Sequence, residues 1–143
     1  MAQMSAGGSD RVPTLHKRVT QDTIDAWAKV SGDYNPLHTD PEFAATSRFG
    51  GTIAHGHLPL AWLCELLVGW AGMPWLGGGE LLEVRFVAPV RPGEDYKVTG
   101  TVTTVENERA MIDVEVAGPA GACVRGKATA PVAGPSGGKE STP

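Results

Sequence analysis

At 143 residues, with 41% hydrophobic and 20% charged residues, the chain has the size and composition of one globular domain with a real core. Its net charge of −4, without a basic cluster, argues against a nucleic-acid partner. The two cysteines, Cys64 and Cys123, stand in apolar or strand-like surroundings with neither disulfide-framework nor zinc spacing, which fits a reducing cytoplasm.

In chain order, residues 1–12 are rich in Gly, Ser and Ala and are expected to be a disordered tail, as are residues 133–143. No charged-then-apolar signal peptide opens the sequence. The ordered part is then a single domain over residues 13–132. Leu15 to Val19 reads as a short strand. Thr20 caps a helix whose apolar positions Ile24, Trp27 and Ala28 recur at helical spacing, and Gly32 stops it. Asp40-Pro41-Glu42 starts a second helix that is expected to end near Gly50-Gly51. The connection from Gly32 to Asp40 is a constrained loop carrying Asp33, Asn35 and His38. A third helix opens near Gly56 and runs to about Trp70. It is apolar nearly all round and is expected to be covered on most sides. At 58–71 its apolar run is short for a membrane span and carries Pro59 and Glu65. After Gly77-Gly78-Gly79 the pattern changes to period two. Leu82, Val84 and Phe86 alternate with Glu83 and Arg85, and similar alternation follows around Val98, Val114 and Ala128. These segments predict antiparallel strands with turns at Arg91-Pro92-Gly93, Glu106-Asn107-Glu108 and Gly118-Pro119. The fold class is α+β: one sheet with a single buried helix against it.

Asp33 and His38 are side chains suited to proton transfer near neutral pH, and Pro36 stiffens the link between them. The alternative is that both only tie up loop backbone. Gly56 at a helix start offers backbone N–H groups to a developing negative charge, or serves only the tight turn. His38, His55 and His57 with Asp33 or Asp40 make a poor metal set, because His55 and His57, two apart, do not share a helix face. Cys64, mid-helix, reads as packing rather than a nucleophile. Trp62, Trp70, Met73 and Trp75 line either an apolar pocket or the core.

Three ordered motifs carry a family resemblance over about 15–132. They are Ser31-Gly32-Asp33-x-Asn35-Pro36-Leu37-His38 followed by Asp40-Pro41, the Ala54-His55-Gly56 segment, and Val84-Arg85-Phe86-Val87-Ala88-Pro89-Val90 with its Gly93-Glu94 turn. Together they resemble the MaoC-like dehydratases, or (R)-specific enoyl-CoA hydratases. The resemblance implies a hot-dog fold, an antiparallel sheet wrapped around one long helix, usually dimeric, with an overhanging helical segment over the active site. It implies reversible hydration of a trans-2-enoyl thioester, on coenzyme A or a carrier protein, to the (R)-3-hydroxyacyl product, with no cofactor and no metal. Asp33 and His38 are then catalytic, with Gly56, Asn35, His55 and His57 on the substrate side. A methionine or other apolar residue is common in the family where this chain has His57. The alternatives are a non-catalytic or heterodimeric acyl-binding subunit, and a thioesterase with Glu65 as its carboxylate.

Overall fold

The structure is a computed structural model and describes residues 11–132. Both expected tails lie outside the described residues, apart from Arg11 and Val12. These two open strand β1 (Arg11–Lys17), and Val12 is buried. Val12 pairs opposite Gly100, whose missing side chain gives it room against the core. A Gly- and Ser-rich neighbourhood conceals this in the sequence.

Helix α1 (Gln21–Ser31) begins where Thr20 Oγ1 accepts from the Thr23 N–H at 3.1 Å. It ends at Gly32, whose φ of 80° is costly for any residue with a Cβ and lets its N–H reach the Ala28 carbonyl. Two short helices follow. One, α2 (Pro36–Thr39), occupies the segment expected to be a plain loop; Asn35 caps it through the Leu37 N–H at 2.9 Å. The next, α3 (Pro41–Ala45), is capped by the Asp40 carboxylate as expected, but stops well before Gly50. The long helix α4 (His57–Ala71) comes next, then the one-turn α5 (Pro74–Gly78), hidden in the sequence by its glycines.

Strands β2 (Glu80–Phe86), β3 (Tyr96–Glu106), β4 (Arg109–Gly118) and β5 (Gly121–Pro131) complete one antiparallel sheet in the order β1-β3-β4-β5-β2. Trp62, Leu63, Leu66 and Leu67 of α4 pack into one core with Val98, Ile112, Val116, Val124 and Ala128 of the sheet. Burying each such aliphatic side chain contributes roughly 1.5–3 kcal/mol, more than local propensity supplies. This is the hot-dog arrangement the resemblance implies. No described helix is long and apolar enough to cross a membrane.

Helix α4 is covered on most sides, as expected: among the described residues only its row His57, Ala61, Glu65, Gly69 is exposed. One expectation needs correction. In β2 a bulge lies between Leu82 and Arg85, with Glu83 at φ 53°. The extra residue breaks the alternation, so Leu81 and Val84, not Leu82 and Phe86, pack against the core.

The turn after Val90 is tied down by Tyr96. Its hydroxyl accepts from the Arg91 N–H at 2.7 Å and donates to Glu94 Oε1 at 3.0 Å. Burial pushes the phenol up to about 12; the Arg91 N–H opposes that, and Glu94 adds to it. A phenol that ionises later in the folded than in the unfolded state stabilises fully below pH ~10, its unfolded value, and loses that contribution as pH rises towards 12. Thermal unfolding followed across this range should show a decline in Tm that is smaller in Tyr96→Phe. The same variant should be less stable at neutral pH, where the Arg91 N–H loses its acceptor. Gly118 leaves space for the same ring: a Cβ there would come within 2.4 Å of it. Gly118→Ala should therefore cost about 1–3 kcal/mol in denaturant unfolding, as overpacked sites do.

Candidate active site

The segment joining α1 to α4 is pinned at several points around His38. Gln21, at the start of α1, donates to the His38 carbonyl at 2.7 Å and accepts from the buried Thr52 hydroxyl at 2.7 Å. The Ile53 N–H donates to the Leu37 carbonyl at 3.1 Å, and the Ala54 N–H to the Val90 carbonyl at 2.7 Å. This stitching sets the His38 loop, the approach to α4 and the segment that follows β2 beside one another.

The His38 ring is oriented by its Nδ1, 2.8 Å from the Ile53 carbonyl. A carbonyl oxygen only accepts, so Nδ1 carries the proton and Nε2 presents a lone pair. That Nε2 faces Asp33 Oδ2 at 3.9 Å, with the His38 side chain 13% exposed and the Asp33 side chain 46% exposed. The gap is too long for a direct hydrogen bond. A water about 2.8 Å from both atoms would fit at the apex of a roughly right-angled triangle. The other oxygen, Asp33 Oδ1, accepts from the Asn35 N–H at 3.2 Å and so holds the carboxylate's orientation.

A cleft of about 520 Å³ opens beside His38 and is lined by Gly56, Ile53, Pro59 and the Phe86–Val90 segment. Gly56 precedes α4, and its N–H donates to no described residue. A free N–H at the positive end of a 15-residue helix is a suitable place for an oxygen that gains negative charge. The Phe86 ring stands over Gly56, where a Cβ would meet it at 3.1 Å.

The structure thus brings Asp33, His38 and Gly56 to one place. Asn35 faces the loop it caps rather than the cleft. His55 and His57, expected near substrate, do not line the cleft. His55 is buried behind the pair, its Nε2 2.9 Å from the Asp33 carbonyl oxygen. His57 packs on Trp27 of α1, ring centroids 5.6 Å apart, so it props the overhanging helix. Glu65 lies outside the cleft and pairs with Lys17 at 2.8 Å. Cys123 is buried, and burial raises its thiol above the ordinary range. Gln21, Thr52, Arg48 and Phe86 escape sequence reading. Capping accounts for none of them, and the partners of Gln21, Thr52 and Phe86 are distant in the chain.

Asp33, His38 and His55 each offer one ligand atom within 4.8 Å of the others. They suit a metal poorly. The two rings stack at 3.9 Å and 26°, so lone pairs lying in nearly parallel planes do not converge on one ion.

The family model for the MaoC like domain matches residues 5–121, and the chain belongs to this MaoC-like dehydratase family. It is 37% identical over 92 residues to the 3-hydroxyacyl-thioester dehydratase Z of Mycobacterium tuberculosis, covering 62% of this chain and 61% of that one. Over 100 residues it is 34% identical to the (R)-specific enoyl-CoA hydratase of Aeromonas caviae, covering 68% and 72%. The solved (R)-hydratase from A. caviae superposes with a TM-score of 0.70 at 31% identity, covering 89% of this chain and 99% of that one. The ChsH1-ChsH2 complex from M. tuberculosis shares the fold alone, at 16% identity and a TM-score of 0.73, covering 85% and 94%. The match thus spans about three fifths of the mycobacterial relative's length, 61%.

Proposed function

We propose that the protein catalyses reversible addition of water to a trans-2-enoyl thioester, giving the (R)-3-hydroxyacyl thioester. One observation carries this reading: a bare His38 Nε2 faces an Asp33 carboxylate oxygen at 3.9 Å beside a cleft that is also lined by Gly56, whose N–H donates to no described residue. The names of the curated relatives from A. caviae and M. tuberculosis support the substrate class.

In the proposed reaction a water sits between Asp33 and His38. Its oxygen bonds to the β-carbon, and the carbon–carbon double bond's electron pair moves towards the thioester carbonyl. The pair accepts one proton from the water. The enolate oxygen is held by the Gly56 N–H, and preorganised donors of this kind typically contribute about 2.7–4 kcal/mol to lowering a barrier. A proton from the pair then reaches the α-carbon on the same face, and the thioester is regenerated. The two groups act jointly, and apparent titrations belong to the pair. No metal or cofactor takes part.

Arg48 bears on the carrier. It lines the same cleft, its guanidinium 4.8 Å over the Phe49 ring, and has no carboxylate within ion-pair distance among the described residues. A cation placed there suits a phosphate of coenzyme A or of a carrier protein's pantetheine arm. Arg48→Gln should raise KM for an enoyl-CoA about 10- to 100-fold, the scale of one charge-assisted contact, and leave KM for the same acyl group on uncharged N-acetylcysteamine unchanged.

Among the described residues β2 is an edge strand with Phe86 and Val87 exposed at its end, which supports a homodimer that continues the sheet. Light scattering of active protein tests this. A monomer active only with a second, different subunit would favour the heterodimeric alternative. Turnover is tested by incubating purified protein with short, medium and aromatic enoyl thioesters and following loss of the conjugated enoyl absorbance. Rates no higher than the uncatalysed background on all of them would refute the proposal.

A further inference from the structure

We propose that His55 is a positioning residue that fixes both members of the pair at once; this rests on the functional reading above. Its ring is 1% exposed and touches each partner differently. Through Nε2 it donates to the main-chain oxygen of Asp33 at 2.9 Å, which anchors a residue just beyond the end of α1 in an otherwise exposed turn. Through its flat face it stacks on His38, centroids 3.9 Å apart. These contacts complete what other groups leave free. The Nδ1–Ile53 hydrogen bond fixes one point of the His38 ring but allows rocking about that point. A ring packed against its face removes that freedom. The carboxylate–imidazole gap is thereby set from one buried side chain.

The third feature is a cost. Since the Asp33 carbonyl requires a proton on Nε2, His55 Nδ1 is a bare acceptor, buried and without a partner among the described residues. An unsatisfied polar atom in the interior destabilises the fold. A position serving only packing gains nothing from it. A donor that must also be a flat ring of this size leaves histidine as the side chain that satisfies both demands.

Two variants separate the contacts. His55→Gln keeps an amide donor for Asp33 and removes the stack. His55→Phe keeps a flat ring and removes the donor together with the orphan nitrogen. Each is expected to lower kcat about 10- to 100-fold, the scale of sub-ångström misplacement of reacting groups, with KM within about 2-fold of wild type. His55→Phe should unfold at a temperature no lower than wild type, so its lost turnover cannot be attributed to lost fold. Either variant, folded and with wild-type kcat, overturns the proposal. So does a loss of activity that merely tracks the unfolded fraction. The tautomer is read independently, on wild-type protein, by long-range ¹H–¹⁵N NMR. The proton is expected on Nε2 of His55; a proton on Nδ1 overturns the proposal even if neither variant folds. Wild-type protein that hydrates no enoyl thioester would instead refute the functional reading, before any variant is made.

Discussion

Asp33→Asn and His38→Gln are each expected to lower kcat for enoyl-thioester hydration by ~100-fold or more, the usual scale for positioned acid–base groups. The asparagine keeps an oxygen for the Asn35 N–H, which lies 3.2 Å from Asp33 Oδ1, so the turn should survive. What it removes is the charge and the second proton-accepting oxygen, the one facing His38. Glutamine at 38 retains a hydrogen-bonding end towards Ile53 but not the bare imidazole nitrogen. If the two groups hold one water between them, the double variant should lose little more than either single one, because neither half works alone. Independent losses that multiply would mean two separate roles. Circular dichroism and thermal unfolding of each variant check that turnover, not fold, has changed.

The second large effect is expected at Gly56. Its φ of −58° and ψ of −25° are ordinary helical values, so alanine is not strained there by its backbone. The conflict is one of space. A Cβ would meet the Phe86 ring at 3.1 and 3.3 Å, on a surface that also lines the cleft. Phe86 is 54% exposed and can move aside, so stability should fall little. Turnover should fall about 100-fold, because the carbonyl oxygen can no longer approach the N–H closely. Adding Phe86→Ala separates the causes. Recovery of turnover in the double variant would assign the loss to the displaced ring. Persistence of the loss would assign it to the oxyanion contact, the outcome the proposed mechanism requires.

The sequence revealed those parts of the fold that local chemistry encodes. Thr20 and Asp40 cap the helices expected of them, Gly32 ends α1 in the left-handed region, and the turn at Asn107-Glu108 is a two-residue hairpin with both φ angles positive, 53° and 60°. What it concealed depends on partners far along the chain. Nothing local marks the bulge at Glu83, which puts Leu81 rather than Leu82 against the core while Val84 keeps its place. The single turns α2 and α5 are too short for a periodic signal. Within the site, Asp33, His38 and Gly56 were legible because their motifs are contiguous. The setting of His55 was not: its hydrogen bond spans 22 residues, and its stack needs the whole connection from α1 to α4 to be folded. His57 illustrates the converse. A polar residue beside a motif invites a substrate role, yet its ring is turned to Trp27.

The fate of oxygen and configuration in one turnover tests the proposed hydration most directly. Wild-type protein is incubated with a trans-2-enoyl-CoA in ¹⁸O-water, and the product is analysed by mass spectrometry and chiral chromatography. Hydration at the Asp33–His38 pair should leave a single ¹⁸O on C3 of the (R)-3-hydroxyacyl thioester, with the thioester intact. Label in a free carboxylate with release of thiol, or an (S) product, would contradict it.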